Sequence, residues 1–508
     1  GDHRDLHSFP TRRSSDLLSG SSGFPDVDGV SDVWKNIQWY GNVDYNYMNR
    51  YFATISLLAE ANSRFGENAD GLGLFGVQWA VFPSVQLGWV LTNEKWFPRR
   101  SGINYLRLNA GYDISGNDNI SNYAARTSYS TVKYYNTAVG LQLTNIGNDK
   151  IQWETTKKFN IGLQSYLLDN RLGVSIDYFL HKTSNLLMPM IFSNPMGGIN
   201  SYWSNGASLE NQGFEAMVSF KPVVSKNWRV ELGASVGHYK NKVTKLPGDK
   251  FTSSIYGVDN IITQVGSPVG LFYGYKTDGV FSTDAEALAA GQNGYLYYTD
   301  ESTNIHEYKA GDVHFVDVNG DGEIGLLGAK PIDDPDRVVI GDPNPDIYGN
   351  IFANVNFKRL TLSLGFNYSL GNDVYNYQRS ILNSGATFYN QQVASVNRWR
   401  YEGQCAELPR VAYGDPMNNN QFSDRWIEDG SYLRLKTVNL TYQVPVPSSW
   451  SWLQGLSVWA EAQNLITLTK YTGTDPEFSI GNGVLYQGID CGLMAPGRAF
   501  TLGLKINL

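Results

Sequence analysis

The chain has 508 residues, of which only 17% are charged, against the roughly 25% usual in soluble domains, and it is rich in Trp, Tyr, Phe and Gly (13, 32, 23 and 52). Its 40 basic and 48 acidic residues leave a net charge of −8, so no overall basic field exists and nucleic acid is excluded as a partner. Two cysteines, Cys405 and Cys491, are too few for a disulfide-built scaffold, although an envelope location would permit them to pair, and the absence of any apolar run of about 18 residues excludes ordinary transmembrane helices, leaving a closed barrel as the way to span a bilayer.

In chain order, Gly1 to Leu17 (GDHRDLHSFPTRRSSDL) look like a translated sequencing adapter. The biological sequence is therefore expected over 18–508 and to extend N-terminally beyond Leu18. From Trp39 onward, alternation of period two recurs in segments of about ten residues separated by Gly, Asn, Asp and Ser, the signature of barrel strands. Trp39, Gly41, Val43, Tyr45 and Tyr47 form an apolar face against Tyr40, Asn42, Asp44 and Asn46. Met48-Asn49 then turns the chain into Tyr51, Ala53, Ile55, Leu57 and Ala59. Phe159, Ile161, Leu163, Ser165 and Leu167 lead through Asp169-Asn170 to Leu172, Val174, Ile176 and Tyr178, a hairpin with a tight turn. Leu360, Leu362, Leu364, Phe366, Tyr368 and Leu370 alternate without error with polar or small residues, and the chain closes on Phe500, Leu502, Leu504, Ile506 and Leu508.

Very short turns alternate with long polar segments at 184–209, 242–267, 282–346 and 372–430, the pattern of short periplasmic turns and long external loops. The expected fold is all-β, an antiparallel transmembrane barrel. Roughly 14 strands are countable, fewer than the roughly 22 around the plugged lumen of large outer-membrane transporters. Either the barrel is small and complete, or strands and a plug belong to a missing N-terminal part.

Asp317, Asn319, Asp321 and Glu323 place oxygen ligands at alternate residues around Gly322, as in the start of a calcium loop, but Gly328 stands where the closing Glu is needed. Asp333, Asp334 or Asp336 could close a structural Ca2+ site, and an Asx-turn that tightens the loop without metal is the equal alternative. Tyr202, Trp203, Tyr256, Tyr389 and Trp399 sit in the long polar segments, where flat rings could stack on sugar rings or peptide side chains, or serve loop packing and the membrane girdle. Six His are scattered without ligand spacing. Charges on the polar faces (Asp44, Arg171, Asp177, Glu215, Arg434, Glu461) point into a wet lumen if the barrel reading holds. No nucleophile elbow, phosphate loop or acid/base pair is present, so no catalysis is expected.

Several segments, in order, resemble the SusC/RagA-like TonB-dependent transporters: Asn42-Val43-Asp44-Tyr45-Asn46-Tyr47, Asn62-Ser63-Arg64-Phe65-Gly66, Phe82-Pro83-Ser84-Val85, Trp153-Glu154-Thr155-Thr156, Asn211-Gln212-Gly213-Phe214-Glu215 (Gln for the usual Lys), Gly274-Tyr275-Lys276-Thr277-Asp278-Gly279-Val280-Phe281, Ser423 through Lys436 and Ala462-Gln463-Asn464-Leu465. This resemblance implies an outer-membrane location, an incomplete wall that is part of a 22-stranded plugged barrel, and TonB-energised import of oligosaccharides or peptides under a SusD-like surface lipoprotein. It also implies that the plug and the TonB-contacting segment lie in the missing front. Two rivals differ in class: a passive porin or receptor barrel, and a soluble secreted carbohydrate-binding β-protein, which should not expose the apolar faces of 360–370 and 500–508.

Overall fold

The computed structural model describes residues 32–98, 102–134, 138–196, 199–255, 258–292, 294–325, 330–447, 452–481 and 483–507; the adapter-like Gly1–Leu17 and the ring position Tyr256 lie outside them. No helix among the described residues is long and apolar enough to cross a membrane.

One 14-stranded antiparallel sheet carries the fold. Its thirteen wall strands follow chain order: β1 (Asn36–Tyr47), β2 (Tyr51–Asn62), β3 (Val77–Val90), β4 (Ile103–Asn117), β5 (Glu154–Leu167), β6 (Leu172–Met196), β7 (Ile199–Val224), β8 (Trp228–Lys245), β9 (Ile347–Phe357), β10 (Leu360–Leu370), β11 (Tyr432–Val444), β12 (Gly455–Thr469) and β13 (Ala499–Asn507), with the short strand Leu72–Leu74 paired beside β3. The strands expected at 39–47, 51–59, 159–167, 172–178 and 360–370 are all present, and that expected at 500–508 is present up to Asn507, Leu508 lying outside the described residues. At one end of the wall the connections are tight. Met48 and Asn49 turn β1 into β2 in the left-handed region (φ 53° each), and Leu168, Asp169 and Asn170 do the same after β5, where Asn and Asp carry that conformation at least cost.

Register explains why the alternation recurs. Val43, Ile55, Val85, Tyr112, Phe159 and Leu180 stand side by side across β1 to β6. Val230, Val355, Leu362, Leu440, Ala460 and Leu502 do so across β8 to β13. Because a one-residue slip would move every side chain to the other face, these rows add up to one apolar band, and its members are exposed or half-buried, most exposed at the last strand (Leu502 84%, Phe500 75%). A stack of rings marks the tight-turn border of the band: Tyr45, Tyr47, Tyr51, Trp89 and Trp96 follow one another with centroids 6.3–6.4 Å apart, and Trp228 packs on Phe357 at 4.3 Å. Amphipathic rings of this kind belong at a membrane–water interface.

Two expectations about the other end need correction. Segment 184–209 is not a loop: β6 and β7 continue through it as a projecting hairpin, with Leu209 opposite Thr183 and Trp203 opposite Pro189. Its polar, irregular sequence reflects a position above the membrane, where neither face must be apolar. In 242–267, β8 persists to Lys245 and a second hairpin pairs Lys250–Ile255 with Val258–Gln264. The pairing allowed for Cys405 and Cys491 does not form; both are free, with Cys405 exposed and 3.9 Å from the Ser282 hydroxyl. Arg171, expected on a polar strand face, belongs to the turn before β6.

If the band meets lipid, Leu364→Lys near its middle should cost about 2–4 kcal/mol and deplete heat-modifiable, membrane-inserted barrel, while Ser363→Lys on the opposite face should assemble like the parent.

Candidate functional site

The face opposite the apolar band is polar and internally bonded. Asp44 accepts from Thr54 (2.6 Å) and Asn42 (2.6 Å), Lys158 lies 3.8 Å from Asp113, Tyr348 donates to Glu215 (3.2 Å), and Asn439 donates to Glu461 (3.0 Å). In a closed wall this is the lumen surface.

Above it, the long connections fold onto one another. Two apolar clusters hold them: Tyr275, Phe281, Ala287, Leu296, Tyr308, Val313, Phe315, Ile324 and Met417 in one, and Ile255, Ile261, Phe272, Tyr375, Phe422, Trp426 and Ile489 in the other. Both clusters join residues from 246–346 to residues from 371–431, so the two loops pack as a unit. Buried charge fixes their mutual position. Asp312, wholly buried, accepts from both Arg410 Nε (2.8 Å) and Nη2 (2.9 Å) and from Asn419 Nδ2 (3.0 Å), while the Asn419 side-chain Oδ1 accepts the Val313 N–H. Thr277 donates to Asp424 at 2.6 Å. Desolvation, reinforced by Asp334, holds the Tyr275 phenol far above its usual range, so it stays protonated and donates to Asp334 (2.5 Å). The third loop, 470–498, is tied to the wall by Arg434 of β11. That guanidinium is 1% exposed and donates to Asp475 (2.5 Å) and Glu477 (2.9 Å).

These elements enclose a cavity of about 830 Å3. Leu186, Met188 and Met190 of β6, Ala207 and Leu209 of β7, Val243 and Leu246 at the top of β8, Phe251, and Val484 and Leu485 of the third loop line it, and no lining residue is charged. It opens on the lumen side, because Leu209 and Val243 stand opposite each other in register with the inward pair Asn211 and Asn241, whose side chains bond at 2.6 Å. The cavity was not anticipated from sequence. Its signal was the apolar run Leu186-Leu187-Met188-Pro189-Met190 inside a segment that otherwise reads as loop.

The aromatic candidates are dispersed. Trp203 packs against the cluster around Phe65 and Trp153. Trp399 donates to the Ser282 carbonyl (3.3 Å) and covers Gly311, where a Cβ would meet its ring at 2.4 Å, so both indoles serve packing. Tyr202 is half-buried on β7 opposite Met190. Tyr389 is 79% exposed beside Phe388, which stacks on Tyr413 at 4.9 Å. At 317–323 the carboxylates face their own backbone: Asp317 accepts from the N–H groups of Gly320 (2.6 Å) and Gly322 (2.7 Å), and Asp321 accepts from that of Glu323 (2.8 Å). Asp336 accepts from those of Val318 (2.8 Å) and Gly325 (2.7 Å). Among the described residues no three His, Cys, Asp or Glu side chains converge as a metal would require.

No family model matches the chain. It is 30% identical over 485 residues to TonB-dependent receptor P3 of Formosa agariphila, covering 92% of this chain and 45% of that protein. It is 26% identical over 482 residues to TonB-dependent receptor SusC of Bacteroides thetaiotaomicron, covering 93% and 43%. The chain thus spans about half the length of the curated relatives it matches. Among solved structures, the RagAB peptide transporter matches with a TM-score of 0.73 at 22% identity, over 93% of this chain and 48% of that one, which establishes the likeness of fold.

Replacing Arg434 by Met should leave Asp475 buried and unpaired at a cost of about 3 kcal/mol. Limited proteolysis should then cut within 470–498 while the wall stays heat-modifiable, and adding Asp475→Leu should restore protection.

Proposed function

We propose that this chain, similar over nine-tenths of its length to SusC-type TonB-dependent receptors, is the wall of an outer-membrane barrel whose whole protein actively imports oligosaccharides or peptides, driven by TonB and capped by a SusD-like surface lipoprotein, with no catalysis. The observation that carries this reading is the coincidence of homology over nine-tenths of the chain with a two-faced wall, apolar outside and hydrogen-bonded polar inside. A soluble secreted β-protein would have no use for the exposed rows ending at Leu502.

The wall itself supports a longer parent. β1 and β13 have no outer partner among the described residues, and lipid cannot satisfy an open strand edge. Roughly nine further strands would complete the roughly 22 of a plugged transporter, and the same missing part would carry the plug and the segment that contacts TonB. Of the two cargo classes, the cavity lining favours a peptide: Met188, Leu209, Val243 and Leu485 offer burial for an apolar side chain, whereas a sugar needs polar partners and flat rings. The name of the RagAB peptide transporter is in keeping with that choice. For the lid, Phe388 (90% exposed), Tyr389 and Tyr413 (73% exposed) supply an apolar patch on the loop 371–431.

The decisive experiment expresses the full-length gene and follows uptake of labelled peptides and oligosaccharides in cells with and without TonB. Loss of uptake without TonB supports the importer; uptake that persists returns the passive porin to first place. Phe388→Ala with Tyr413→Ala should weaken co-purification of the lipoprotein without lowering the amount of barrel.

Calcium at Asp317, Asn319, Asp321 and Glu323 is a separate proposal, resting on the ligand spacing. An ion there must take over carboxylate oxygens that now accept backbone N–H groups. Millimolar Ca2+ should then slow proteolysis of 313–336, with Asp317→Asn abolishing the effect; equal rates with and without Ca2+ leave the Asx-turn.

A further inference from the structure

The outward face of β5 to β8 changes character at the upper border of the apolar band. Going up β6, Leu172, Val174, Ile176, Tyr178 and Leu180 are followed by Lys182; going up β8, Val230, Leu232, Ala234 and Val236 are followed by His238, Lys240 and Lys242. Register brings these ends together. Lys157 of β5 stands opposite Lys182, Lys182 opposite Glu210 of β7, Glu210 opposite Lys242, and Gln212 opposite Lys240. All four lysines are exposed. They share the face of Phe159 and Leu180, not the lumen face, where Lys158 meets Asp113 and lies opposite His181.

Only one of the four has a carboxylate partner among the described residues: Lys182 reaches Glu210 at 3.0 Å with 59% of its side chain still exposed. The patch is bounded on both sides. Toward β4 the row continues as Ile114, opposite Lys157; toward β9 the cleft beside Lys240 and Lys242 is bordered by Asp342 and Asp346. In a chain of net charge −8, four outward lysines, of which only Lys182 is ion-paired among the described residues and with Asp342 and Asp346 at the β9 border, are a local reversal of sign.

Its height identifies the partner. From Leu172 to Lys182 the strand covers about 33 Å at about 3.3 Å per residue, which is about 25 Å along the membrane normal at a tilt of about 40°. That is the height of the apolar band of an outer-membrane barrel, so the lysines lie at headgroup level, above the rings of Tyr178 and Phe214. They lie at the end of the wall that bears the long loops, in the outer leaflet.

We infer that Lys157, Lys182, Lys240 and Lys242 form a docking surface for the phosphate groups of an anionic glycolipid of the outer leaflet. The acyl chains lie against Phe159, Ile161, Ile176, Leu180 and Phe214, and the ammonium groups meet the phosphates above them. Three uncompensated lysines match a headgroup bearing two phosphates, and the contact is electrostatic, so it weakens with salt.

The test reconstitutes the full-length protein in phosphatidylcholine nanodiscs doped with diphosphoryl lipid A or with its dephosphorylated form, and counts lipid retained per protein by native mass spectrometry. The wild type should retain the diphosphoryl form preferentially, less so at high salt. The quadruple variant Lys157→Gln, Lys182→Gln, Lys240→Gln, Lys242→Gln should lose that preference by about tenfold. A control pair at the opposite end of the wall, Lys226→Gln with Lys358→Gln, should keep it. Equal retention of the two lipids by the wild type overturns the inference without needing any variant. Displacement of lipid A by inorganic phosphate at equal concentration also overturns it, because the surface would then be a general anion site.

Discussion

A bilayer offers no water to a peptide group, and that single deficit organises this chain. Every N–H and C=O inside the membrane must find a strand partner, so thirteen segments far apart in sequence are forced into one ladder in chain order. Once the ladder is imposed, the side chains have no freedom of side. Val355 and Leu362 must face lipid together because Asn354 and Ser363 face the lumen together. The apolar rows, the ring stack from Tyr45 to Trp96 and the polar lumen bonds are three expressions of that pairing. The hydrophobic effect places the wall in the membrane, but backbone hydrogen bonding decides which residues make the wall.

Above the membrane the constraint lapses and ordinary globular rules return. The long connections acquire buried clusters of their own, a helix at Asp284–Ala290 capped by Thr283, and buried carboxylates that are either ion-paired, as Asp312 is, or held by N–H and O–H donors, as Asp336 and Asp490 are. Asp312 with Arg410, and Arg434 with Asp475 and Glu477, join elements whose contact in water alone would be weak. Such pairs contribute more to geometry than to stability, since desolvation offsets most of their attraction. The Arg434 pairs hold loop 470–498 to the wall, and Val484 and Leu485 of that loop line the apolar cavity with residues of β6, β7 and β8.

How much of this was legible depended on which rule applied locally. Strand β10 runs from Leu360 to Leu370, as its unbroken alternation implied, because there one face meets lipid and the other water. Alternation is silent for β6 and β7 above the band, where both faces meet protein or water, and 184–209 read as a loop although it is paired. The family-like block from Gly274 to Phe281 stood out without a visible reason; it forms strands Leu271–Tyr275 and Thr277–Val280 beneath the loops, with Tyr275 and Phe281 in one buried cluster. Ring-stacking surfaces could not be told from packing by composition. Trp399 and Tyr389 lie in the same polar segment, yet one covers Gly311 and the other stands in solvent. The cavity depends on residues brought together across 186–485, a separation that no local pattern encodes.

Of the three register shifts in the projecting hairpin, the two nearer the membrane compensate each other. Between Leu209↔Thr183 and Ala207↔Leu186 the extra residue is on β6, near Asn185 with its φ of 56°; between Ala207↔Leu186 and Asn205↔Leu187 it is on β7, at Gly206. Below and above this double bulge the two strands are again level. The tip can therefore lengthen, shorten or change its chemistry by descent while the register of the lipid-facing ladder stays as it was. A lineage could diversify what the mouth of the barrel admits without re-evolving the wall that holds it in the membrane.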